Sequence, residues 1–195
     1  MTYTKNIKKK KLCEYDLAFV DSETTGLSPR DHEIIEIAAI IYDPREDKVI
    51  KEWSRKAAPR TIKTASKVAL NMNGYNEAPE TYKDNIEDVI FEYSKVTRDC
   101  IIVGQNIQFD INFIKKYYKE FSVGEEFHRH RKLEISSMVW PAIMDSDLES
   151  ISLQALCEHF GVSNENAHRA LADCHRTLEI YRCLTKIHKD SVDHT

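Results

Sequence analysis

The sequence predicts an α/β protein: a mixed β-sheet with helices on both faces. Three observations carry that expectation. Three strand-like runs follow one another before residue 56, the hydrophobic period then becomes helical, and one more strand-like run, Cys100 to Val103, returns between helices.

The elements follow in order. Residues 16 to 21 contain the apolar run Leu17, Ala18, Phe19, Val20 and predict a first strand. Ile34 to Tyr42, IIEIAAIIY, is rich in β-branched residues and predicts a second, and Lys48 to Arg55 alternates well enough for a third. The linkers between them, Thr24-Thr25-Gly26 with Ser28-Pro29 and Asp43-Pro44-Arg45-Glu46-Asp47, are turns by composition. Helices are expected over Thr64 to Leu70 and Glu80 to Thr97, separated by Asn73-Gly74 and Pro79. Ile86, Val89, Ile90 and Tyr93 form the core stripe of the second. After the strand at 100–103, Gly104 marks an exit and a helix is expected over Gln108 to Tyr118. Leu133 to Ser136 suits a short fifth strand, and helices over Ser152 to Phe160 and Ala167 to His188 complete the chain.

At 195 residues and 42% hydrophobic, the chain can bury one well-formed core. Residues 1–12 are expected as a flexible basic tail, 13–189 as a single domain and 190–195 as a C-terminal tail. No run approaches the roughly 20 apolar residues of a membrane span, and Glu14 and Asp16 interrupt any signal peptide, so a cytoplasmic location is expected. The five cysteines lack a CxxC pair and read as reduced, mostly packing thiols; Trp53 and Trp140 read as core. A net charge of −4 argues against a generally basic, nucleic-acid-gripping surface, but two bound divalent cations would bring that sum to zero. The run Lys8 to Lys11 reads as a solvated end.

The stretch VDSETTG, residues 20 to 26, poses a chemical problem. Side chains two apart on a strand share a face, so Asp21 and Glu23 project together at a strand's carboxyl end, where α/β folds carry their sites. Two like charges there call for a counterion, and oxygen ligands favour magnesium or manganese; a solvated turn is the plainer alternative. Asp110 lies near the start of the helix that follows VGQN. It is either an acid favoured by the helix dipole or a third carboxylate aimed at the first pair. His168 and Asp173 are five apart in NAHRALADCHRT. Five residues turn a helix through about 500°, leaving these side chains about 140° apart. For both to serve one site, His168 must stand at or before the helix entrance.

Taken together, FVDSETTGL, VGQNIQFD and HRALADC resemble the three motifs of the DnaQ-like, DEDDh 3′–5′ exonucleases, the family of polymerase proofreading subunits and RNase T. The resemblance runs from about Leu17 to Leu184. It implies a ribonuclease H-like fold with a five-stranded mixed sheet, and it makes Asp21, Glu23, Asp110 and Asp173 the metal-binding acids and His168 the general base. Thr24, Thr25 and Leu27 match positions that hold and wedge the terminal nucleotides, and Phe109 one that packs near the 3′ nucleotide. Asn106 matches the motif's Asn, and Gln105 stands where many members have His, which bears on a substrate contact rather than on the metals.

The implied partner is the 3′ end of a nucleic acid, single-stranded and by preference DNA. The implied cofactors are two divalent cations, Mg2+ or Mn2+. Held roughly 3.5 to 4 Å apart by shared carboxylates, they could clamp the attacking and leaving oxygens of an in-line displacement at phosphorus. An imidazole, with an ordinary pKa of about 6.5, suits the role of base near neutral pH. No segment marks a polymerase partner, so a freestanding enzyme is the simpler expectation. Two other readings stand beside this one: an inactive nuclease-like binding module, and a zinc site from Cys157, His159, His168 and Cys174, whose spacing matches poorly. In FHRHRK, His128, His130, Arg129, Arg131 and Lys132 read as a polar loop able to touch phosphates.

Overall fold

A computed structural model describes residues 11–124, 131–165 and 167–193. Strands β1 (Asp16–Thr24), β2 (Ile34–Asp43) and β3 (Lys48–Lys56) are joined by two hairpins. Helices α1 (Lys67–Met72) and α2 (Ile86–Val96) lead to β4 (Cys100–Gly104) and α3 (Ile107–Glu120). Strand β5 (Lys132–Glu134) and helices α4 (Ile135–Met138), α5 (Trp140–Ile143), α6 (Leu153–Phe160) and α7 (Ala170–Asp193) follow. The sheet order is β3-β2-β1-β4-β5, antiparallel across β3-β2-β1 and parallel across β1-β4-β5.

The central position of β1 and β2 explains their composition. Every residue of β2 but Asp43 is buried, because both faces are covered, and a two-sided strand must be apolar throughout. Strand β3 lies on the edge and is mostly exposed, with Lys48, Lys51 and Lys56 charging that edge against further pairing. Alternation along β1 divides the core. Ala18 and Val20 pack with Ile90, Tyr93, Phe113 and Ile114 from α2 and α3. Leu17 and Phe19 face Leu156, Cys174 and Leu178 from α6 and α7.

The odd-numbered residues of β1 therefore point at α7, and Asp21 and Glu23 are odd-numbered. Ala170, Cys174 and Leu178 recur at helical spacing as the buried stripe of α7, and Tyr181 meets Phe19 and Tyr42 edge-on at 5.5 and 6.0 Å. That contact presses the helix onto β1 and β2, and its first turn stands over the acids.

Several boundaries differ from the sequence-based expectation, each for a local reason. Strand β1 runs three residues further than expected, to Thr24, because its pairing with β2 continues through Glu23↔Glu36 before a bulge. The helix expected from Glu80 starts only at Ile86: Asp84 pairs with Ala57 beyond the end of β3, and the Asn85 side chain caps the helix at the Glu87 N–H, 2.8 Å away. Strand β5 stops at Glu134, whose carboxylate accepts from Ser136 N–H at 3.2 Å and so opens α4. Helix α7 starts at Ala170 instead of Ala167, since His168 has φ 62°, and it continues past His188 to Asp193. Trp53 is core, but Trp140 is 59% exposed at the start of the short helix α5.

Candidate active site

Strands β1 and β4 are parallel, so their carboxyl ends emerge side by side and the β4–α3 turn must cross in front of β1. Gly104 allows the crossing: a Cβ there would lie 3.0 Å from the Val20 carbonyl oxygen and 2.7 Å from Ile107 Cδ1. Beyond it, Asn106 takes a left-handed conformation (φ 54°, ψ 38°) and reverses the chain into α3. Glu134 on β5 secures the helix entrance by accepting from both Asn106 N–H and Ile107 N–H at 2.9 Å. Asp110 then falls in the first turn of α3, 3% exposed, where the Ser22 hydroxyl donates to its Oδ1 at 2.6 Å. Ser22 lies on the α3 face of β1 while Asp21 and Glu23 lie on the α7 face, so acids from both layers meet at the strand's end.

Asp173, 7% exposed, completes the set from the first turn of α7. It accepts from the Arg176 Nη2 group, and Arg176 Nη1 donates to Asn164 Oδ1 at 2.9 Å. Among the described residues, Glu23, His168 and Asp173 bring donor atoms within 4.8 Å of one another. His168 is exposed and precedes α7, the placement its spacing from Asp173 required.

The electrostatics record how crowded the cluster is. Burial, followed by the charges of Asp110, Asp173 and Glu23, holds Asp21 well above the usual carboxylate range. Glu23 is pushed up to about 8, first by burial and then by Asp173, Glu36 and Asp110, with Arg169 pulling the other way. Asp110 rises to about 7 through burial, against the opposing effect of its Ser22 hydrogen bond. Carboxylates that disfavour their own ionised forms are a fitting donor set for divalent cations, whose charge would reverse that balance.

The substrate positions of the motifs are disposed around this cluster. Thr25 is tied on three sides: its N–H donates to Glu33 O at 2.8 Å, its Oγ1 accepts from Glu33 N–H at 2.9 Å and its carbonyl accepts from Ser66 N–H at 2.7 Å. Thr24 Oγ1 donates to the Gly26 carbonyl at 2.7 Å, and Leu27 stands 83% exposed. Phe109 is half-buried against Phe113, with ring centroids 5.0 Å apart. Gln105 donates from Nε2 to Ile151 O at 2.8 Å.

The zinc reading fails on geometry: Cys157 and Cys174 are fully buried in the apolar core, and His159 is exposed against the Phe160 ring. His128, Arg129 and His130 lie outside the described residues; Arg131 sits over the Tyr15 ring at 4.1 Å, and Lys132 donates to Gln108. Motif reading missed Ser22, Glu36, Glu134, Arg169 and Arg176. Only Glu36 left a readable signal, as the single charge inside the apolar run IIEIAAIIY.

A five-stranded sheet in this order, with a cluster of acids at the end of its central strand, defines a class: the ribonuclease H-like nucleases. An exonuclease family model, RNase_T, matches residues 18–181, and the chain belongs to that family, whose DnaQ-like motifs it carries. The DNA polymerase III subunit epsilon of Aquifex aeolicus (strain VF5) is 29% identical over 170 residues, covering 83% of this chain and 76% of that protein. The 3′-5′ exonuclease DinG of Staphylococcus aureus (strain MRSA252) is 29% identical over 168 residues, covering 84% of this chain and 17% of that protein. The PolC-type DNA polymerase III of Clostridium perfringens (strain 13 / Type A) is 26% identical over 176 residues, covering 89% of this chain; the chain spans only 11% of that protein's length. Among solved structures, a zinc-bound complex of E. coli exonuclease I with single-stranded DNA superposes with a TM-score of 0.76 at 18% identity, covering 92% of this chain and 42% of that one, a likeness of fold.

Proposed function

We propose that the chain is a 3′–5′ exonuclease that acts on a single-stranded 3′ end, DNA in preference to RNA, and releases nucleoside monophosphates. The observation that carries this reading is the meeting of Glu23, His168 and Asp173 donor atoms within 4.8 Å of one another, beside the half-buried Asp21 and the buried Asp110. The four acids would hold two divalent cations, magnesium or manganese, because an all-carboxylate set suits hard ions. Such a pair, when bound, supplies Lewis-acid stabilisation to the attacking and leaving oxygens at phosphorus.

The rest falls to the chain itself. His168 takes the proton of the attacking water; its exposure leaves the imidazole open to solvent beside the buried Asp173. Thr24 and Thr25, on a strand end braced by Glu33 and Ser66, hold the terminal nucleotide, and Leu27 wedges between the last two bases. Phe109 packs against the 3′ nucleotide, and Gln105 and Asn106 flank it from the β4–α3 turn. Polarity and strandedness are supported by the relatives: DinG is named a 3′-5′ exonuclease, and exonuclease I binds single-stranded DNA in its complex. Among the described residues no helix is long and apolar enough to cross a membrane, and the buried thiols Cys157 and Cys174 accord with a reducing, cytoplasmic setting.

The test is digestion of 5′-labelled single-stranded DNA, RNA and duplex DNA in magnesium or manganese. The expected result is a ladder shortening from the 3′ end, fastest on single-stranded DNA and absent without metal. Tight binding with no cleavage under any metal would overturn the reading in favour of a binding module. Internal cuts in place of a 3′ ladder would overturn the exonucleolytic part.

A further inference from the structure

His168 is the exposed member of the cluster and sits on a left-handed hinge, φ 62°, a conformation that a non-glycine residue keeps only where its surroundings impose it. The residue after it is held firmly. The Arg169 guanidinium lies against Gly74, where a Cβ would stand 2.1 Å from Nη2 and 2.6 Å from Cζ; Gly74 is itself left-handed, with φ 70°. From that seat Nη1 donates to the His168 carbonyl at 3.0 Å and Nη2 donates to Glu77 Oε2 at 3.3 Å.

The turn that provides the seat is fixed to the strand carrying the acids. Asn73 Nδ2 donates to the Thr24 carbonyl at 3.1 Å, one residue past Glu23, and the Tyr82 hydroxyl donates to the Asn73 carbonyl at 3.2 Å. On the other side of the hinge, the Ala170 N–H lies close enough to the Glu36 carboxylate to favour its ionised form, and Glu36 is buried and paired across the sheet with Glu23. The His168 segment is thus tied on both sides to the strands that bear the metal-binding acids.

We propose that Arg169, seated on Gly74, is a positioning residue that holds His168 over the reacting centre. The inference rests on His168 being the general base. Arg169 touches neither substrate nor metal in this role; it acts by imposing the left-handed backbone at His168, and a residue larger than glycine at position 74 would evict it. The predicted cost of losing the clamp is a misplaced base, and displacements on the scale of 1 Å lower turnover by about 10- to 100-fold.

The experiment is a double-mutant cycle on the full chain at saturating magnesium, which removes effects on metal affinity through Glu23. Its arms are Arg169→Met, His168→Gln and both together, with Gly74→Ala as a second way to break the seat. Arg169→Met keeps the apolar stem of a residue that is one-third exposed, so the fold is retained. The expected result is a kcat lowered about 10- to 100-fold with KM little changed, the same for Gly74→Ala, and no further loss when Arg169→Met is added to His168→Gln. Amide hydrogen exchange of the metal-free protein should accelerate at residues 167–170 in Arg169→Met. An unchanged kcat in Arg169→Met overturns the proposal, as does a loss that falls on KM or adds to that of His168→Gln, since Arg169 would then touch the substrate. Full activity in His168→Gln would instead refute the base assignment; the exchange measurement then decides the clamp alone, and unaccelerated exchange overturns it.

Discussion

Metal binding to this cluster should expel protons, because burial and mutual repulsion hold its carboxyls partly protonated near neutral pH. At pH 7 a carboxyl with a pKa of about 8, Glu23, is about nine-tenths protonated, and one at about 7, Asp110, is about half protonated. A cation that binds only the ionised set must displace about 1.4 protons from these two alone, and the raised Asp21 adds to that number. The same protonation makes apparent affinity rise with pH: between pH 6 and pH 8 the two residues together give an increase of about 500-fold. Titration calorimetry with magnesium or manganese, run at each pH in two buffers of different ionisation enthalpy, reads both quantities. Release of less than about half a proton at pH 7, or an affinity that changes less than about tenfold between pH 6 and pH 8, would refute the reasoning.

The same shifts carry further consequences. A carboxyl whose folded pKa lies above its unfolded value lets the unfolded chain ionise first, so the metal-free protein should lose thermal stability as pH rises from about 4 to about 8 and level off above that. Magnesium should restore it, which differential scanning calorimetry reads. Glu23→Gln removes a carboxyl that burial and acidic neighbours keep from ionising in the fold, and should raise the metal-free melting temperature at pH 7 by a few degrees, about 1 kcal/mol, while abolishing cleavage. Ser22→Ala leaves the buried Asp110 without its donor; it should cost about 1 kcal/mol and move the acid limb of the activity profile to higher pH. Arg176→Met strips the buried Asp173 of its cation and should cost about 3 kcal/mol, measured by denaturant unfolding.

What was legible in the sequence was what acts locally. The run IIEIAAIIY announced a strand because its β-branched residues suit one, and the structure buries all of it on both faces. The five-residue spacing of His168 and Asp173 placed the histidine outside the helix, since a continuous helix could not aim both at one point. What stayed hidden depends on partners far along the chain. Ser22 meets Asp110 88 residues on, and Arg169 reaches Glu77 across 92 residues; neither has a spacing rule to betray it. Trp140 misled because a large aromatic side chain reads as core by its type alone, whereas here it opens the short helix α5 and stands 59% exposed. The delayed start of α2 was likewise settled by Asp84 pairing with Ala57 just beyond β3, a tertiary contact that outweighs helical propensity.

The most direct measurement is an anomalous-diffraction experiment on crystals soaked in manganese at a concentration that supports cleavage in solution. The expected result is manganese density contacted by Asp21, Glu23, Asp110 and Asp173, lost in crystals of Asp110→Asn together with turnover. Cleavage-competent crystals with manganese elsewhere, or with none against these four acids, would contradict the assignment of the metal centre.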